Sequence, residues 1–149
     1  MKHTTSNELI LKFPSRSCNE SFARTAIACF AAQMDPTLNE LEDIKTSVSE
    51  AVTNAIVHAY PDSIGIVTVV VRIYPENELE LIVKDRGRGI GDVERARQPM
   101  FTTGGEDRSG MGFTIMESFM DKLSVRSIPG RGTTVSMKKK LAHRMNGAK

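Results

Sequence analysis

Leu79-Glu80-Leu81-Ile82-Val83-Lys84-Asp85-Arg86-Gly87-Arg88-Gly89 begins as a strand and ends as something else. Side chains along a strand alternate between faces. Leu79, Leu81 and Val83 therefore share one side, and Asp85 falls on that same side. A carboxylate on a core face is costly unless a donor meets it. The glycines directly behind it let the backbone approach something closely. As residues alone, Asp85, Gly87 and Gly89 suit a carboxylate that accepts from a planar amine beside room for a flat ring. They also suit a strand that ends in an Asp-x-Gly turn.

Working outward, Gly65–Tyr74 reads as a strand with Val67, Val69, Val71 and Ile73 on its apolar face. Pro75-Glu76-Asn77 is a turn, so this strand pairs as a hairpin with Glu78–Lys84. Glu78, Glu80 and Lys84 point the other way, which leaves one side of the sheet partly wet. Earlier still, Glu8–Phe13 alternates as an edge strand closed by Pro14. Ser17-Cys18-Asn19-Glu20 has the form of a capping box and predicts a helix from Cys18 to about Met34. Ala23, Ile27, Phe30 and Met34 line its inner face, and Phe22, Ala26 and Cys29 broaden it. Asp35-Pro36 breaks that helix. Thr37-Leu38-Asn39-Glu40 is a second capping box, before a longer helix from about Leu38 to Ala59. Leu41, Ile44, Val48, Val52, Ala55 and Ala59 form its core stripe at helical spacing. Glu50 and Asn54 stack one turn apart, on a side roughly opposite the stripe.

Beyond the opening stretch, Arg86–Ser109 has no periodicity apart from a short helix near Asp92–Arg97. A loop of that length inside a compact domain is functional or disordered. Helix resumes over Gly112–Met120, with Phe113, Met116 and Met120 inward. Lys122–Ile128 is a strand, Pro129–Gly132 a tight turn and Thr133–Lys138 the last strand. The 149 residues suit one domain, 1–149, with flexible ends at 1–7 and 141–149. Hydrophobic content of 40% and charged content of 26% are ordinary for a soluble globular protein, and a formal charge of +2 does not suggest non-specific nucleic-acid binding. No apolar run is long enough for a membrane span or a signal peptide, so the expected location is cytoplasmic. Cys18 and Cys29 on one helix stand about 16 Å apart at 1.5 Å per residue, too far for a disulfide. They read as reduced thiols that mostly fill the core.

Three further groups carry chemistry. Gly104-Gly105 and Gly110-Met111-Gly112 lead into a helix, where free N–H groups and the helix dipole suit phosphate, or they make a flexible loop. No Gly-Lys-Ser/Thr follows, so this is not a Walker A loop. The third glycine of a dinucleotide fingerprint is missing too. Asn54 offers an oxygen suited to Mg²⁺, and Glu50 a carboxylate able to take a proton. The same pair also suits the solvated side of an amphipathic helix. Thr133-Thr134 on the last strand offers hydroxyls to a base, or only β-propensity.

The order of these pieces resembles the GHKL (Bergerat-fold) ATPases over about residues 8–140. Within that superfamily, Ser49-Glu50-Ala51-Val52-Thr53-Asn54-Ala55-Ile56-Val57-His58-Ala59-Tyr60 is similar to the asparagine box of the anti-sigma serine kinases of spore-forming bacteria. Gly110-Met111-Gly112-Phe113-Thr114-Ile115-Met116-Glu117-Ser118-Phe119-Met120-Asp121 is closer to the sporulation type than to the general-stress, anti-sigma-B type. The resemblance implies an α+β fold: a two-layer α/β sandwich, with a mixed, mostly antiparallel sheet and helices packed on one face. It implies ATP or ADP and Mg²⁺ as ligands. Asn54 would hold the metal, Asp85 would accept from the adenine amino group with Thr134 assisting, and Gly87 and Gly89 would make room for the ring. Thr102, Thr103, Gly104 and Gly105 would begin a lid, with Arg108 a charge contact. Gly110, Met111, Gly112 and Phe113 would cradle phosphate. Glu50 would be the base for an incoming serine.

The implied partners are a sporulation sigma factor of the sigma-F type, an anti-anti-sigma protein phosphorylated on serine, and a second copy in a homodimer. Neither nucleic acid nor membrane is bound directly. Glu20, Phe22 and Arg24 on the first helix are candidate partner contacts. One competing reading is a histidine-kinase module, but His3, His58 and His143 are poorly placed to accept phosphate. Another is a nucleotide-gated binding module without catalysis.

Overall fold

The stretch ending in Asp85 becomes β3 (Glu78–Asp85), the central strand of a five-stranded sheet. The computed structural model of the chain describes residues 5–98 and 111–142. In chain order the elements are β1 (Asn7–Pro14), α1 (Cys18–Ala31), α2 (Leu38–Asn54), β2 (Ile66–Tyr74), β3, α3 (Val93–Ala96), α4 (Gly112–Phe119), β4 (Lys122–Ile128) and β5 (Gly132–Lys140). The sheet order is β1-β2-β3-β5-β4, with every pairing antiparallel. The α+β expectation holds, and no parallel pair occurs among the described residues.

Alternation sorts the sheet into two faces. Val67, Val69, Val71, Leu79, Leu81, Val83, Val135 and Met137 are buried in one cluster with Ile27, Ile44, Val48, Val52, Phe113 and Met116 from the helices. Each such side chain contributes about 1.5–3 kcal/mol on burial. The opposite face carries Glu8, Arg72 and Glu80, with Arg72 bridging to both carboxylates. Glu76 and Asn77 turn the β2–β3 hairpin in the left-handed region, at φ of 68° and 63°.

The two capping boxes behave differently. Thr37 Oγ1 accepts from the Glu40 N–H at 3.0 Å, and Glu40 Oε1 accepts from the Thr37 N–H at 2.9 Å. Oε2 of the same glutamate accepts from the Ala142 N–H at 2.8 Å, so one carboxylate ties the start of α2 to the chain just past β5. Thr37→Ala is expected to cost about 1 kcal/mol, read as a lower denaturation midpoint with an unchanged denaturant slope. Ser17 makes no side-chain cap, because its backbone is already in the helical region at φ −60° and ψ −30°. Glu20, the expected partner of Ser17, bonds Arg24 instead.

Two helix faces differ from expectation. On α1 the buried positions are Ala23, Ile27 and Ala31, followed by Met34 in a short 3-10 turn. Phe22 is 56% exposed, and both free cysteines are exposed rather than core-filling. On α2 the buried arc also takes in Ser47 and Ala51, and so reaches towards Glu50 and Asn54. The last turn, Ala55–Ala59, is a π-helix. Its wider i→i+5 winding rotates Ala59 off the stripe that a regular helix extrapolates.

Candidate nucleotide pocket

A cavity of about 460 Å³ opens between α2, the chain after β3, α4 and β5, within the size range of small-molecule sites. Glu50, Ala51, Asn54, Ala55, His58 and Ala59 form one wall. Val83, Asp85, Thr133 and Val135 form the floor, and Gly112 and Phe113 close one end. Arg88, Gly89, Ile90 and Arg95 stand on the loop side. The pocket therefore brings Glu50, Asn54, Asp85, Gly89, Gly112 and Phe113 together. The expected face for Glu50 and Asn54 is corrected: it adjoins the buried arc of α2 rather than lying opposite it.

Asp85 sits where the alternation of β3 puts it, at the inner edge of the sheet opposite Thr133. Its Oδ1 accepts from the Gly87 N–H at 2.9 Å and from the Thr133 N–H at 3.2 Å. Both bonds use one oxygen, which leaves Oδ2 without a protein donor among the described residues. Burial pushes the Asp85 pKa above its ordinary value, while the two N–H bonds pull it back down. A side chain with a second oxygen left to accept, in a cavity of mixed polar and apolar lining, is suited to a planar amino group.

Gly112 marks how closely α4 approaches α2. A Cβ built there would stand 3.2 Å from Glu50 Oε1 and 3.3 Å from Asn54 Nδ2. The start of α4, whose first backbone N–H groups have no acceptor within the helix itself, thus faces the two polar side chains of α2. No cluster of three or more His, Cys, Asp or Glu side chains suited to a metal occurs among the described residues. Mg²⁺ is commonly held by one or two protein oxygens together with substrate phosphates, and Asn54 supplies such an oxygen.

Three expected roles change. Gly87 does not line the cavity: a Cβ there would overlap the Ala59 carbonyl, so this glycine serves the close approach of the loop to the end of α2. Thr134 points to the other face of β5, and Thr133 is the threonine that lines the pocket. The parity of the strand already implies this, since Thr133 shares its side with Val135 and Met137. Met111 precedes α4 without lining the cavity. Thr102, Thr103, Gly104, Gly105, Arg108 and Gly110 lie outside the described residues. His58, Arg88 and Arg95 join the lining without a sequence signal of their own.

The candidate partner residues lie elsewhere. Glu20 Oε2 accepts from Arg24 Nε at 3.0 Å, and Phe22 stands exposed on the same helix. Arg24 also borders a smaller hollow with Glu42, Lys45, Thr46 and Ser49.

The histidine kinase-like ATPase domain family matches residues 13–139. The anti-sigma F factor of Caldanaerobacter subterraneus is 58% identical over 134 residues, covering 89% of this chain and 93% of that relative. The anti-sigma F factor of Geobacillus kaustophilus is 57% identical over 138 residues, covering 91% and 94%. Among solved structures, the RsbU and RsbW domains of Rv1364c from Mycobacterium tuberculosis superpose with a TM-score of 0.68 at 18% identity, over 91% of this chain and 32% of that one. A blue-light activated histidine kinase domain from Erythrobacter litoralis superposes with a TM-score of 0.57 at 22% identity, over 82% and 65%. At those identities the likeness shows a shared fold.

Proposed function

From a chain that belongs to the histidine kinase-like ATPase domain family, and within it to the anti-sigma F factors, we propose an anti-sigma factor that is also an ATP-dependent protein serine kinase. The observation that carries the enzymatic half is the pocket that joins Asp85 at one end to Glu50, Asn54 and the start of α4 at the other. One end suits a base and the other suits phosphates, and a nucleotide has both.

In this reading Asp85 Oδ2 accepts from the adenine amino group, Gly89 lies beside the ring and Thr133 assists. Asn54 would hold Mg²⁺, which would supply charge neutralisation at the phosphates. The N–H groups at the start of α4 meet the same phosphates. A serine oxygen of the anti-anti-sigma protein takes the γ-phosphoryl group, the bond to the β-phosphate oxygen breaks and ADP leaves. The serine proton passes to Glu50. Phosphoryl transfer of this loose kind relies on positioning more than on base strength, which suits a carboxylate held on a packed helix.

The sigma factor, of the F type, docks away from the pocket on the exposed side of α1 around Glu20, Phe22 and Arg24, and the active species is a homodimer in the cytoplasm. The test uses the full chain with Mg²⁺ and γ-labelled ATP, together with a serine-bearing anti-anti-sigma protein and a sigma factor of the F type. Label on serine and nucleotide-dependent capture of the sigma factor are expected. Capture without any transfer of label would favour a nucleotide-gated binding module.

A further inference from the structure

Tyr60 ends the helix that carries Glu50 and Asn54, and the pocket lining does not include it. Its hydroxyl nevertheless accepts from the Arg86 N–H at 2.7 Å and donates to the Ile66 carbonyl at 3.0 Å. Arg86 is the residue directly after Asp85. Two positions on, the Arg88 N–H donates to the Ala59 carbonyl at 3.1 Å. Between them, the Gly87 N–H donates to Asp85 itself. The turn that follows Asp85 is thus gripped at Arg86 and Arg88 by the last two residues of the α2 extension.

The grip is built in from the other side as well. A Cβ on Gly65 would overlap the Tyr60 ring, so the ring fills the place where a side chain would stand. The Gly65 backbone has no freedom to back away. Its carbonyl accepts from the Ser15 N–H at 2.8 Å, and its N–H donates to Ser15 Oγ at 3.0 Å. Ser15 is itself buried. The space for the tyrosine is reserved by an absent side chain on a pinned backbone.

We infer that Tyr60 is a positioning residue for base recognition. Its hydroxyl fixes the turn that aims the Asp85 carboxylate, and it ties that aim to the helix that presents Glu50 and Asn54. The inference deepens the nucleotide reading above and rests on it.

The experiment titrates the full-length wild type and Tyr60→Phe with Mg²⁺ and either ATP or inosine triphosphate, in which an oxygen replaces the amino group. The wild type prefers ATP. Tyr60→Phe keeps the ring but lacks the hydroxyl. It is expected to bind ATP about tenfold more weakly, the size of one lost hydrogen bond, with inosine triphosphate affinity unchanged. The preference shrinks by the same factor, while the phosphotransfer rate at saturating ATP stays at the wild-type value. A general loss of stability would not select between the two bases. Gly65→Ala displaces the same ring with the tyrosine still present, and is expected to reproduce the loss of preference. A folded Tyr60→Phe with the wild-type preference overturns the inference and leaves the base site standing. A wild type without any preference overturns the role of Asp85 and the inference together.

Discussion

Asp85→Asn is expected to bind ATP roughly tenfold to a hundredfold more weakly, while the empty protein is at least as stable as the wild type. The affinity loss follows from one charge-assisted hydrogen bond in a half-buried site, worth ~1.5–3 kcal/mol. The stability result follows from linkage. Burial raises the Asp85 pKa, so the folded state holds this proton more readily than the unfolded chain does. The contribution of the group is then fully favourable below the ordinary carboxylate pKa and is lost as pH rises through the folded value. At neutral pH the ionised side chain is a net cost to the empty fold. Asparagine removes that charge and keeps an oxygen for the Gly87 and Thr133 N–H groups. Calorimetric titration with ATP and thermal melting of the nucleotide-free protein measure the two halves. Wild-type ATP affinity in a folded variant would sink the adenine assignment, and a large drop in melting temperature would sink the linkage argument.

Glu50→Gln is expected to lower phosphotransfer by about a hundredfold, the lower end for a general base, with little change in ATP affinity. The amide matches the carboxylate in size, so the close packing against Gly112 is kept. What disappears is the ability to take the serine proton. Single-turnover transfer from labelled ATP, read at saturating nucleotide, separates this from a binding defect. Transfer at the wild-type rate would show that Glu50 is not the base.

Most of the architecture was legible in the residues because the signals were local. Alternation located all five strands, and placed Asp85 on the inner face before any fold was considered. The Thr37 capping box located the start of α2. The misreadings came from places where something distant decides. Ser17 has the sequence of a cap, but Arg24 takes the Glu20 carboxylate, and the helix starts without it. Phe22 and Cys29 fall within a face that looked broad by spacing, yet α2 covers a narrower strip of α1. The regular pattern of α2 fails after Asn54, because nothing in the sequence announces a π-turn. Gly87 in sequence suits space for a ligand, whereas the neighbour that needs the space is the Ala59 carbonyl. Thr134, expected beside the base, is a misreading with a local cause: strand parity alone puts Thr133 on the pocket side instead. The pocket itself was legible only as an order of motifs, since Asn54, Asp85 and Gly112 approach one another through the fold and not through proximity in the chain.

The strand order has a consequence for how the molecule assembles. The β2–β3 and β4–β5 hairpins close over short turns, but the pairing that brings Asp85 to Thr133 joins residues 48 positions apart. Closing long loops is slow relative to zipping hairpins. The pocket needs α2, β3, α4 and β5 at once, so no single hairpin or helix pair contains it. A ligand with those requirements has nothing to bind until the two halves of the sheet have met. By mass action, a nucleotide at a hundred times its dissociation constant then adds about 2.7 kcal/mol to the finished fold alone. On the proposed reading, the nucleotide that serves chemistry would therefore also act as a latch, one that stabilises only molecules whose sheet is complete.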